Sequence, residues 1–65
     1  MSHYVAHVHV LRYGQCQSMR FTVDAASAVL AAHQAEADAM RLVDGAVEAI
    51  ADRVLLLNPV FNRAA

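Results

Sequence analysis

The chain contains no lysine and no tryptophan, and only one cysteine, one proline and two glycines in 65 residues. A single thiol, Cys16, can neither close an intrachain disulfide nor furnish a cysteine-based zinc site, so two common reinforcements of a small fold are excluded. Without lysine, positive charge rests on Arg12, Arg20, Arg41, Arg53 and Arg63, which are scattered along the chain. A formal net charge of −1 with no basic cluster makes nucleic acid an unlikely partner, because sequence-independent binding needs an arginine- or lysine-rich face. Only convergence of arginines from two subunits, in a nucleic-acid-binding dimer, would alter that. The bulkiest apolar run, Val54 to Leu57, is far too short to cross a bilayer, and the first residues lack the basic-then-apolar layout of a secretory signal. The expected compartment is the cytoplasm, with Cys16 as a free thiol and no membrane partner. There is no glycine-rich phosphate loop, no serine in a nucleophile elbow and no paired-cysteine or His-Glu-x-x-His motif, so the expectation is a chain that is not an enzyme and carries no cofactor.

Against these absences stands a large apolar content, 58% of residues. A chain of this length is a single small domain, residues 1–65, and buries only about 60% of the surface its unfolded form exposes. Its own core is thin, roughly 3–5 kcal/mol at best, and self-association is the reinforcement left open.

The clearest local signal is a β-hairpin over residues 4–23. Placing Gly14-Gln15 at the two-residue turn sets Val10 opposite Met19, Val8 opposite Phe21 and Ala6 opposite Val23, all on one face with Tyr4. The other face then carries His3, His7 and His9, with Ser18, Arg20 and Thr22 across from them. After Val23 the composition turns to alanine, and Asp24 stands where an N-cap belongs, which predicts a helix over about 25–43. Residues 46–57 read in two ways. Met40, Val43, Val47, Ile50, Val54 and Leu57 recur at spacings of three and four, the mark of an apolar helical seam. Asp44-Gly45 is instead a hairpin signal that would set Leu42 opposite Val47. Alanines at 46, 49 and 51 favour the helix. The expected fold is therefore α+β, a hairpin followed by two helices (ββαα), with ββαββ as the alternative. Asn58-Pro59 ends regular structure and leaves a tail, 58–65, with Val60 and Phe61.

Two surfaces follow. The seam residues Met40, Val43, Val47, Ile50, Val54 and Leu57, with Phe61, form more apolar surface than a hairpin can cover, which points to a homodimer or higher oligomer. The polar strand face, centred on His7, His9, Arg20 and Thr22, is the candidate contact for another protein, of acidic character or bearing phosphate. The alternative for the same face is metal binding by His7 and His9, whose Cα atoms lie about 7 Å apart on a strand. An arginine beside them opposes a cation, and no carboxylate is near in sequence. Cys16 lies too far along the strand for a dyad with His9, and His33 is expected to border the core from the first helix. The functional expectation is a non-catalytic protein-interaction or regulatory module that works as a homo-oligomer.

Overall fold

A computed structural model describes residues 2–57, which form strand β1 (Ser2–Arg12), strand β2 (Gln15–Ala25), helix α1 (Ala28–Leu42) and strand β3 (Ala46–Leu57). The expected tail contact of Phe61 lies outside the described residues. The strands form one antiparallel sheet in the order β2-β1-β3, and α1 packs on one of its faces. Alternation along β1 makes this two-layer arrangement possible: Tyr4, Ala6, Val8 and Val10 are buried beneath the helix, while the odd-numbered residues face away from it.

The hairpin exists, but its turn is Tyr13-Gly14 rather than Gly14-Gln15, so Val8 faces Met19, Ala6 faces Phe21 and Tyr4 faces Val23. Moving the turn by one residue shifts the pairing by two, which changes partners yet keeps every side chain on its face. Both turn residues have positive φ, 52° at Tyr13 and 74° at Gly14, as a type I′ turn requires. A non-glycine residue there costs roughly 1–2 kcal/mol, and the compensation is tertiary. The Tyr13 ring packs on Gly45, where an added Cβ would lie 2.5 Å from it, and the Arg12 guanidinium sits 5.4 Å from the ring centroid. Arg12 also donates to the Asp44 carbonyl oxygen at 3.0 Å, clamping the hairpin turn to the α1–β3 connection.

Helix α1 starts later than Asp24 predicts. That residue stays in β2 opposite His3 and pairs with its imidazole, so the capping role passes to Ser27. The Ser27 hydroxyl oxygen accepts from the Leu30 amide at 3.3 Å, and its carbonyl oxygen accepts from Ala31. The helix presents Ala31, Ala35 and Ala39 to the sheet, all fully buried, a stripe at every fourth residue that lets the backbone sit close. At its far end the Val43 amide donates to Ala39, and Gly45, at φ 81°, turns the chain toward β3.

Among the described residues there is no second helix. Residues 46–57 form one long strand along the free edge of β1 and do not pair with the segment around Leu42, which belongs to α1. The observed order is ββαβ. The β1–β3 ladder has two register shifts: Asp52 and Val47 are extra residues on β3, so the positions opposite the inward side chains of β1 are 46, 49, 51, 54 and 56. Of the expected seam only Val54 is among them. The alanines that argued against a strand are the residues packed under α1, which lies closest to β3; Ala46, Ala49 and Ala51 are small because the helix crosses above them. The supposed seam is thereby divided among surfaces. Val43 is buried in the core, Val54 packs against it, Ile50 and Leu57 face away from the helix, Val47 protrudes at a bulge and Met40 is exposed on α1.

One further bond ties the layers together. Beside the Asp52 bulge, the Ala51 amide donates to Glu36 Oε2 at 2.8 Å in a partly buried position, so a helix carboxylate satisfies strand backbone where the ladder is interrupted.

Candidate functional site

Among the described residues nothing packs on the face of the sheet opposite α1, and cross-strand pairing arranges its side chains in rows. His7, on the central strand, stands directly between Arg20 of β2 and Arg53 of β3. The next row toward the hairpin turn is Ser18, His9 and Ile50; toward the other end come Thr22, Val5 and Leu55, then Asp24, His3 and Leu57. The corrected register puts Arg20 beside His7 and Ser18 beside His9, and moves Thr22 one row off, opposite Val5. Neighbouring strands lie about 4.8 Å apart, so each row is a compact line of three side chains.

The middle row differs from those around it. His3 is paired with Asp24, and His9 is held at both ring nitrogens, Nε2 against Asp52 Oδ2 and Nδ1 against the Ser18 hydroxyl, each at 3.2 Å. Away from this face, Arg41 pairs with Asp38 at 2.8 Å and Arg12 is engaged by the Asp44 carbonyl. Among the described residues, neither a hydrogen bond nor an ion pair engages the side chains of Arg20, His7 or Arg53. A shallow hollow of about 340 Å³ opens beside this row, lined by His7, Ser18, Met19 and Arg20. Glu48, opposite Leu11, sits about 13 Å along β1 from the His7 row; the nearer carboxylate, Asp52, adjoins Arg53 in the chain and is turned to His9 in the next row.

The pair expected as an alternative metal site, His7 and His9, gathers no third donor among the described residues. His7 is flanked by two guanidinium groups, both nitrogens of His9 are occupied, and among the described residues no three His, Cys, Asp or Glu side chains come together as donors. Cys16 is exposed at the far end of the face, opposite Leu11. His33 is exposed on α1, in a larger hollow of about 440 Å³ formed with Asp24, Leu30 and Gln34 beside the end of β2. Among the described residues no helix is long and apolar enough to cross a membrane.

Sequence reasoning missed Arg53 and Asp52, the two residues that complete the His7 and His9 rows, because both sit on the strand read as a helix. The available signal was Asp44-Gly45, which stops α1 and aims the next segment back at the open edge of β1. No family model, no curated protein and no solved structure matches the chain.

Proposed function

We propose that the chain is a non-catalytic, homo-oligomeric binding module of the cytoplasm that docks an acidic partner protein on the open face of its sheet. The observation that carries this reading is the Arg20–His7–Arg53 row, three nitrogen-bearing side chains from three adjacent strands that make no ion pair among the described residues. Two guanidinium groups held at one level on a rigid sheet meet a complementary acidic surface without first breaking internal bonds, which favours association. A short polyglutamate peptide added to isotopically labelled protein tests it. Amide shifts should cluster around His7, Arg20 and Arg53, fade in high salt, and weaken about tenfold in Arg53→Ala, the loss of roughly one charge-assisted contact. Shifts centred on α1 instead, or indifference to salt, would overturn the reading.

Self-association is supported by the side chains β3 leaves in solvent. Val47, Ile50, Leu55, Leu56 and Leu57 remain between 41% and 67% exposed, a concentration of apolar surface on one strand of a small chain; because Ile50, Leu55 and Leu57 share the face of the arginine row, the second copy is placed along the outer edge of β3, leaving the β2 side of that row to the partner. Light scattering should give a solution mass at least twice that of one chain, and a monomer at high micromolar concentration would remove the oligomer from the reading.

A further inference from the structure

We infer that the ligand chemistry of the Arg20–His7–Arg53 row is that of a phosphate monoester. The inference rests on the docking reading and narrows it to a chemical group. Arg20 and Arg53 stand two strand spacings apart, about 10 Å between Cα atoms, with the His7 imidazole midway and on the same face. Two side chains as long as arginine, rooted at that separation, are able to reach one group seated above the imidazole. A single carboxylate offers two oxygens and one negative charge, enough for one guanidinium fork, and leaves the second cation unmatched. A phosphate monoester carries three terminal oxygens and a charge of about −1.5 to −2, so each fork finds oxygens and the imidazole N–H can take another.

The surroundings select the same class. His9 lies between the Asp52 carboxylate at Nε2 and the Ser18 hydroxyl at Nδ1, each at 3.2 Å, so the adjacent row is engaged internally and recognition is left to the arginine row. The hollow of about 340 Å³ lined by His7, Ser18, Met19 and Arg20 gives an anion an approach from the β2 side, with Arg53 reaching in from the opposite flank of His7. A nucleic-acid backbone is a poorer match, because it presents successive phosphates and needs successive cations. Among the described residues Arg12 and Arg41 are engaged elsewhere, by the Asp44 carbonyl and the Asp38 carboxylate, and a single row remains.

The test titrates the full chain with three probes: a phosphoserine peptide, the same peptide with glutamate in place of phosphoserine, and inorganic phosphate. The phosphopeptide should bind at least about tenfold tighter than its glutamate counterpart, the difference expected when a second charge-assisted contact is made. Its ³¹P resonance should shift on binding. Arg20→Ala and Arg53→Ala should each lose about tenfold or more, and Arg20→Lys, which keeps the charge but not the fork, should lose less than Arg20→Ala. An unchanged amide spectrum away from the site verifies that each variant is folded; if Arg20→Ala unfolds, Arg20→Lys and the ³¹P shift still decide. Inorganic phosphate binding as tightly as the phosphopeptide supports the same chemistry with free phosphate as its source. Equal binding of the phospho- and glutamate peptides overturns this inference while the acidic-partner reading stands, and failure of both peptides overturns the two together.

Discussion

Ala35→Leu is expected to lower the melting temperature by roughly 10–20 °C, from an overpacking cost of about 2–3 kcal/mol in a domain of this size. Ala35 is the middle of the three alanines through which α1 touches the sheet, and it has no exposed surface. The same core cluster holds Ala6, Val8 and Val10 of β1, so the added isobutyl group has no space to enter without lifting the helix or driving a strand side chain off its rotamer. Leucine is nearly as good a helix former as alanine, so a loss at this position reports packing rather than propensity. Ala37→Leu is the matched control, because Ala37 is exposed on the same helix and the change there should stay within about 0.5 kcal/mol. Circular dichroism melts of the two variants check the prediction. Equal melting temperatures would mean that the helix and sheet are not held at the separation the alanine stripe implies.

That stripe also shows which parts of the fold local sequence could carry. The hairpin and its faces were legible because alternation in β1 and β2 is a local property, and a shift of the turn by one residue preserved it. The turn itself was not, since positive φ at Tyr13 is sustained by a ring contact with Gly45, more than thirty residues along the chain. Ser27 was hidden as the N-cap because Asp24 has the right chemistry for a cap and gives it instead to His3, again a contact across strands. Residues 46–57 misled most. Their alanines answer to the helix overhead, and the bulges at Val47 and Asp52 break the period of two that marks a strand.

The candidate site inherits this division. His7, His9 and Arg20 could be placed on one face from the hairpin alone, and they do share it. Their partners on the other flank could not, because Arg53 and Asp52 join the face only when β3 pairs with β1. The difference is chemical as well as geometric. Seen from the hairpin alone, His7 has a single arginine neighbour and His9 a serine. With β3 in place, His7 becomes the centre of a cationic row and His9 a satisfied link between a hydroxyl and a carboxylate. The surroundings of neighbouring histidines on one strand thus diverge according to a strand more than forty residues away.

Glu36→Ala is expected to cost about 1–2 kcal/mol and to release the middle of β3. A hydrogen bond from a backbone amide to a charged acceptor contributes about 1.5–3 kcal/mol, and because the Ala51 amide is only partly buried, water recovers some of it when the carboxylate is removed. The bond also acts at a vulnerable place. The extra residue Asp52 interrupts the ladder immediately after Ala51, so this amide is the point at which β3 depends on α1 as well as on β1. Glu36→Gln keeps a carbonyl acceptor of the same reach and should retain most of the stability, whereas alanine leaves the donor to solvent. Hydrogen exchange distinguishes a local from a global effect. In Glu36→Ala the Ala51 amide and its neighbours on β3 should exchange faster relative to the amides of the β1–β2 hairpin. An edge strand with free backbone donors also pairs readily with other chains, so the alanine variant should associate more strongly at high concentration than the glutamine variant. Uniform exchange across the sheet, with no difference between alanine and glutamine at position 36, would show that Glu36 does not hold β3 to the helix.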